Sequence, residues 1–123
     1  MNFLDERGRI LIVEDMEFVR HALQAFLSEA GYAVEAVASG AAALARLKTG
    51  AIDLVLTDHR MPGMTGAELV VALKTRWPKL PVVMFTATAP REPVPGLDLL
   101  LHKPGDFRLI VPAIEKLLGR RSG

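Results

Sequence analysis

Three carboxylates, one hydroxyl and one lysine stand at the ends of short apolar runs. Glu14 and Asp15 follow Ile10-Leu11-Ile12-Val13, and Asp58 follows Leu54-Val55-Leu56-Thr57. Thr86 follows Val82-Val83-Met84-Phe85, and Lys103 follows Leu99-Leu100-Leu101-His102. Clustered carboxylates are hard oxygen donors of the kind that Mg²⁺ takes, two or three at a time with water completing the shell. A lysine and a hydroxyl beside them can neutralise and hydrogen-bond a phosphoryl group, whose transfer depends mainly on positioning and charge compensation. Without a metal, three acids in one pocket repel, and at least one pKa should rise. Taken singly, each residue has a plain structural role: Glu14 a solvated neighbour, Asp15 an N-cap, Asp58 a turn cap, Thr86 a strand-end hydroxyl, Lys103 an exposed charge. What points to chemistry is that all five fall at strand ends.

These residues need strands to deliver them to one place. In an open α/β sheet the carboxyl ends of parallel strands line one edge, and ligands bind there. The run Ile10–Val13 is continuous, as expected of a strand buried on both faces. Asp15 is expected to cap the next helix, whose apolar face is Phe18, Val19, Ala22, Leu23, Phe26 and Leu27. Gly31 ends it. Tyr32 to Val37 reads as a second strand, with Glu35 interrupting it as at an edge. Ser39 is a good N-cap for the Ala-rich segment to Lys48, and Gly50 closes it. A third strand is expected from about Ile52 to Thr57. After the loop, Thr65-Gly66-Ala67-Glu68 has the form of a capping box, and its helix carries Leu69, Val70, Leu73 and Trp77 inward. Pro81 opens a fourth strand, Leu97 to His102 forms a fifth, and a last helix spans Phe107 to Leu118, with Pro112 kinking it or resetting its start.

The stretch Thr86 to Gly96 breaks this rhythm. Pro90, Pro93 and Pro95 forbid a continuous hydrogen-bonded helix where a crossover helix is expected. Otherwise strands alternate with helices, the pattern of a parallel sheet with right-handed crossovers.

The chain has 123 residues, half of them hydrophobic, with a formal net charge of +1. One domain is expected over 1–123, with its core about 9–118. Scattered basic residues, adjacent only at Arg120-Arg121, give no footprint for nucleic acid. The absence of cysteine excludes disulfide and thiolate chemistry. No apolar run approaches the roughly 18 residues that span a bilayer, and the first residues lack the form of a signal peptide. A cytoplasmic protein that does not bind membranes is expected. No pair of histidines has metal-ligand spacing, and His59, His21 and His102 read as exposed loop, helix-surface and strand-end residues.

The chain resembles the receiver domain of two-component response regulators. Ile10-Leu11-Ile12-Val13-Glu14-Asp15 looks like the first strand and acidic pair of that family. Leu54 to Gly66 looks like its phosphoacceptor strand and loop, with Asp58, Met61-Pro62-Gly63-Met64 and Gly66. Thr86-Ala87 and Lys103-Pro104 look like its last two signatures. The resemblance covers about Arg9 to Leu118. It implies a flavodoxin-like five-stranded sheet of order 2-1-3-4-5. It implies that Asp58 accepts a phosphoryl group from a sensor histidine kinase or phosphotransfer protein. It implies that Glu14, Asp15, Asp58 and the backbone carbonyl of Arg60 hold Mg²⁺, that Thr86 and Lys103 bond the phosphoryl oxygens, and that the Lys103-Pro104 bond is cis. Such a domain is a switch acting on an unidentified downstream protein, and it catalyses only its own phosphorylation and hydrolysis.

Three departures from that family stand out. The interval from Thr86 to Lys103 is short, so the fourth helix should be absent or much reduced. Leu100 occupies the place of an aromatic three residues before the lysine, and Gly105-Asp106 precedes Phe107. Arg60 is expected to reach over the pocket mouth and pair with Glu14 or the phosphoryl group. With no output domain after Leu118, the chain reads as a stand-alone regulator or a receiver cut from a larger protein. Two other classes compete. A pseudo-receiver would bind partners without phosphate, and the intact set of five residues argues against it. A haloacid-dehalogenase-like phosphatase would want Asp-x-Asp after the first strand, where Glu14-Asp15 are adjacent instead.

Overall fold

The computed structural model describes residues 7–122, with side chains described for residues 7–119. The chain start Met1–Glu6 and the side chains of Arg120-Arg121 lie outside that range. Five strands form one parallel sheet: β1 (Arg9–Val13), β2 (Ala33–Val37), β3 (Leu54–Thr57), β4 (Val82–Thr86) and β5 (Leu99–His102). Their order is β2-β1-β3-β4-β5, as the resemblance implies. Four α-helices connect or follow them: α1 (Glu17–Glu29), α2 (Gly40–Leu47), α3 (Gly66–Arg76) and α4 (Ile110–Ser122). No helix joins β4 to β5, and prolines at 90, 93 and 95 account for that.

Alternation along the strands divides the core in two. Ile10, Ile12, Leu54, Leu56, Val83, Phe85 and Leu101 pack with Leu23 and Leu27 of α1 and with Ile110 and Ile114 of α4. Leu11, Val13, Val55, Val82 and Met84 pack with Ala43 and Leu47 of α2 and with Leu69, Val70 and Leu73 of α3. Strands β1, β3 and β4 are therefore apolar on both faces, which a parallel sheet between two helical layers requires. Strand β2 lies at the edge, which explains why a charged Glu35 is tolerated there; it pairs with Arg9 and Arg46. The cap predictions hold for α2 and α3. The Ser39 hydroxyl accepts from Ala42 N–H at 3.1 Å. Thr65 and Glu68 form a reciprocal capping box, with bonds of 3.1 and 2.9 Å. Such caps contribute about 1 kcal/mol each.

Four local expectations are corrected. Met16, not Asp15, is the N-cap of α1, and no side chain bonds that end. Phe18 is 86% exposed and Ala22 is exposed too, because the buried stripe of α1 is Val19, Leu23, Phe26 and Leu27. Residues 18 and 22 share the neighbouring row, one position round the helix and away from the sheet. The third and fifth strands start two residues later than expected, at Leu54 and Leu99, and Tyr32 is buried just outside β2. The last helix begins as a 3₁₀ turn, Gly105–Leu109, and becomes α-helical at Ile110. Pro112 sits in the first turn of α4, where its missing N–H costs nothing, so it marks the start rather than a kink.

Candidate functional site

All five residues reach the carboxyl edge of the sheet. Glu14 and Asp15 leave β1, Asp58 leaves β3, Thr86 closes β4 and Lys103 follows β5. Glu14 is 1% exposed, Asp58 9% and Thr86 1%, which is unusual burial for two carboxylates. Lys103 explains how they are tolerated. Its ammonium lies 2.7 Å from Glu14 Oε1 and 3.0 Å from Asp58 Oδ2, bridging strands far apart in sequence. It also stands 5.8 Å from the centre of the Phe85 ring, within cation–π range. The Lys103-Pro104 peptide is cis.

The electrostatics follow from this sharing. Burial pushes the Glu14 carboxyl above its ordinary value and the nearby Asp58 charge adds to the push; bonds from Lys103 and Met16 N–H offset only part of it. Asp58 is held low. Burial acts to raise it, but hydrogen bonds from Thr86, Lys103 and the His59 N–H, with the Lys103 charge, outweigh that. Burial acts to lower the Lys103 pKa, and the bonds and charges of Glu14 and Asp58 overcome it and raise the value. The expected rise of one carboxyl is thus found at Glu14, with burial as its main cause, while Asp58 is held below its ordinary value.

Glu14, Asp15 and Asp58 each offer a carboxylate oxygen, and these three oxygens lie within 4.8 Å of one another. That spacing and donor chemistry fit a small, hard divalent cation. The Thr86 hydroxyl donates to the Thr88 carbonyl and accepts from the Thr88 N–H, both at 3.2 Å, and its proximity to Asp58 helps to hold that carboxyl low.

The loop after β3 is tightly held. The His59 N–H donates to Asp58 Oδ1 at 2.6 Å. His59 is not the exposed loop residue expected: it is half-buried, and its Nδ1 accepts from Ala67 N–H at 3.2 Å, capping the start of α3. Gly66 donates its N–H to the His59 carbonyl at 2.7 Å. A Cβ built on Gly66 would lie 2.1 Å from the Asp58 carbonyl oxygen and 2.8 Å from the His59 Cα. Only glycine lets α3 start this close to the end of β3. Sequence reasoning placed Gly66 in the motif but gave it no role, and the signal for His59 was its position eight residues before an N-terminal helix amide that lacked a partner. Arg60 is exposed, and among the described residues it forms no ion pair; Glu14 is held by Lys103 instead. The expected Arg60–Glu14 pair is therefore absent, because Lys103 already fills the space beside Glu14.

With this geometry in view, comparison with known proteins is decisive. The family model of the response regulator receiver domain matches residues 10–115. The chain belongs to the response regulator receiver family. The chemotaxis protein CheY of Pseudomonas aeruginosa is 35% identical to this receiver domain, over 94% of this chain and 99% of that protein. The two-component response regulator PhoP of the same organism is 33% identical over 94% of this chain, which spans only 53% of PhoP. Among solved structures, TrrA of Thermotoga maritima in complex with Mg(2+)-BeF superposes with a TM-score of 0.84 at 27% identity, covering 89% of this chain and 98% of that one. TrrA has also been solved in complex with the histidine kinase ThkA, and that copy has a TM-score of 0.83 at 28% identity, covering 90% of this chain and 98% of that one. The receiver fold and the two-component family are thus shared, and in this chain β4 leads to β5 without a helix.

Proposed function

We propose that this receiver domain is a phosphoacceptor switch: Asp58 takes a phosphoryl group from a phosphohistidine on a sensor histidine kinase or phosphotransfer protein. The observation that carries the reading is the single Lys103 ammonium shared by Glu14 and Asp58 at the sheet edge. It keeps Asp58 ionised as a nucleophile, and it is a cation already placed to follow a phosphoryl oxygen bound to Asp58. In the transfer, an Asp58 carboxylate oxygen attacks phosphorus, the bond from phosphorus to the imidazole nitrogen breaks, and the electron pair leaves with the imidazole. Thr86 would hydrogen-bond a phosphoryl oxygen by turning its hydroxyl from Thr88. Glu14, Asp15 and Asp58, with the Arg60 carbonyl, would hold Mg²⁺, which supplies charge neutralisation for the transferring oxygens. TrrA, a relative in fold, was solved with Mg(2+)-BeF and with a kinase, which supports the same assignments here.

The domain acts as a switch in the cytoplasm rather than as a turnover enzyme, its only reactions being its own phosphorylation and hydrolysis. Among the described residues no helix is long and apolar enough to cross a membrane. The downstream partner is a protein whose binding changes with the state of Asp58. The test is direct. With Mg²⁺ and acetyl phosphate the intact mass should rise by one phosphoryl group, and Asp58→Asn should stay unmodified. Mg²⁺ alone should raise the melting temperature, since it binds only the folded cluster, and the rise should vanish in Asp15→Ala. Equal labelling of Asp58→Asn would end the assignment.

A further inference from the structure

A second feature of the pocket mouth is not used by phosphoryl transfer itself. A cleft of about 610 Å³, lined from His59 onward, opens between the loop that follows Asp58 and the irregular segment after β4. His59, Arg60 and Thr65 line one wall, and Thr88, Pro90 and Arg91 line the other. No Asp or Glu lines it. Arg60 and Arg91 are both exposed, and among the described residues neither forms an ion pair. Asp58 is already served by Lys103 deeper in the pocket, so the two guanidinium groups of the cleft remain unassigned. Arg91 also lines a neighbouring groove with Glu92 and Asp98, but it pairs with neither, and Asp98 is engaged by Lys74 and the Val82 N–H.

Arg91 is where it is because the fourth helix is missing. The segment that carries it is tied at both ends: Thr88 to Thr86 at the start, and Asp98 to Lys74 and to Val82 N–H at the close, both at 2.8 Å. Pro90 and Pro93 flank Arg91 closely and limit the backbone between those ties. A guanidinium held at a mouth of this kind recognises a carboxylate by paired N–H donors.

We propose that this cleft holds a carboxylate carried by the phosphodonor beyond its phosphoryl group, and that Arg91 is the specificity-determining residue for it. The ligand class is an acyl phosphate bearing a second carboxylate. The reaction is the one above with a different leaving group: Asp58 attacks phosphorus, the bond from phosphorus to the acyl oxygen breaks, and the electron pair leaves with the acyl group as a carboxylate. No proton has to move. Arg91 binds the second carboxylate in the donor and in the departing dianion alike, so its effect falls on donor capture rather than on the bond-breaking step. The inference rests on Asp58 being the phosphoacceptor.

The test compares benzoyl phosphate with 4-carboxybenzoyl phosphate, both with Mg²⁺, reading the rate of phosphorylation of Asp58 by intact mass. The wild type should favour the carboxylated donor roughly two- to fivefold at low salt, the scale of one well-placed surface ion pair. Arg91→Ala should lose that preference, Arg91→Glu should reverse it, and Arg91→Lys should keep part of it. All three should leave the benzoyl phosphate rate unchanged. Salt at roughly 0.5 M should suppress the preference in the wild type, since exposed charges are screened there. Equal preference in wild type and Arg91→Glu would overturn the proposal while leaving Asp58 as the acceptor. Failure of both donors to modify the wild type would overturn the phosphoacceptor reading instead.

Discussion

Two irregular segments flank the same pocket mouth, and they are built in opposite ways. The loop after β3 is fixed atom by atom. His59 bonds Asp58 through its N–H and α3 through its ring, Gly66 closes on the His59 carbonyl, Met61 is buried, and the Thr65–Glu68 box ends the turn. The segment after β4 is held by bonds at its ends and by Val94 and Leu97, which pack against the core, while Arg91, Glu92, Pro93, Pro95 and Gly96 face solvent. The same contrast shows in β5. Leu101 is 4% exposed and belongs to the cluster made with α1 and α4, whereas Leu100 on the other face is only half-buried, against Val94 and Leu97 of irregular chain. Asp58 is thus held by bonds from its own loop and from Lys103, while the neighbouring corner lacks helical cover and leaves exposed side chains beside the site. The site does not depend on a helix there, because its five side chains sit at strand ends and strands β3 and β4 are buried without one.

The sharpest way to break this comparison is at two glycines. Gly66→Ala puts a methyl against the Asp58 backbone, which cannot yield as a side chain can. It should destabilise the fold by about 3 kcal/mol or more and abolish phosphorylation, measured by urea melts and intact mass. At Gly96 the φ of +86° is strained for alanine, but the nearest atom is on the flexible Lys74 side chain. Gly96→Ala should therefore cost only about 1–2 kcal/mol and leave phosphorylation intact. Equal costs at the two positions would show that the segment after β4 is as constrained as the acceptor loop.

Next in size is the charge at the centre of the pocket. Lys103→Met leaves Glu14 and Asp58 without their shared cation and should cost about 2–4 kcal/mol near pH 8. The pH dependence separates this from lost packing. Because the Lys103 pKa is raised on folding, its stabilisation is complete below the ordinary lysine value of 10.5 and declines as pH rises through the higher folded value. That alkaline decline should be shallower in Lys103→Met. The variant should also gain stability on acidification as Glu14, whose pKa is raised in the fold, takes up a proton. Parallel stability–pH curves for wild type and variant would show that the ammonium is solvated rather than shared.

The smallest difference expected is between adjacent leucines of β5. Leu101→Ala empties a site packed by helices and should cost about 2–4 kcal/mol, while Leu100→Ala should cost less than about 1.5 kcal/mol because the chain over it can settle and part of its surface is already wet. Chemical denaturation of both variants measures the gap. A cost at Leu100 equal to that at Leu101 would mean that Val94 and Leu97 replace the missing helix fully.

Much of this protein follows from local pattern. Continuous apolar runs predict buried parallel strands, because a strand between two helical layers has no polar face. The Thr65–Glu68 box and the Ser39 cap are legible because a cap bonds residues only three positions away. The three prolines rule out a helix between β4 and β5 through covalent geometry alone. Five polar residues at strand ends disclose the site, since parallel strands bring their carboxyl ends to one edge. Tertiary structure decides what depends on distance across the fold. Lys103 chooses Glu14 and Asp58, partners 89 and 45 residues away, and by doing so leaves Arg60 without the acid it was expected to find. The exposure of Phe18 and the cap at Met16 depend on how α1 rolls against the sheet, which helical spacing leaves free by one row. The roles of Gly66 and His59 exist only because α3 starts in contact with the acceptor strand. Periodicity and caps are short-range and can be read along the chain; the sharing of one cation, and the approach of one backbone to another, are set by packing between elements that the chain brings together only on folding.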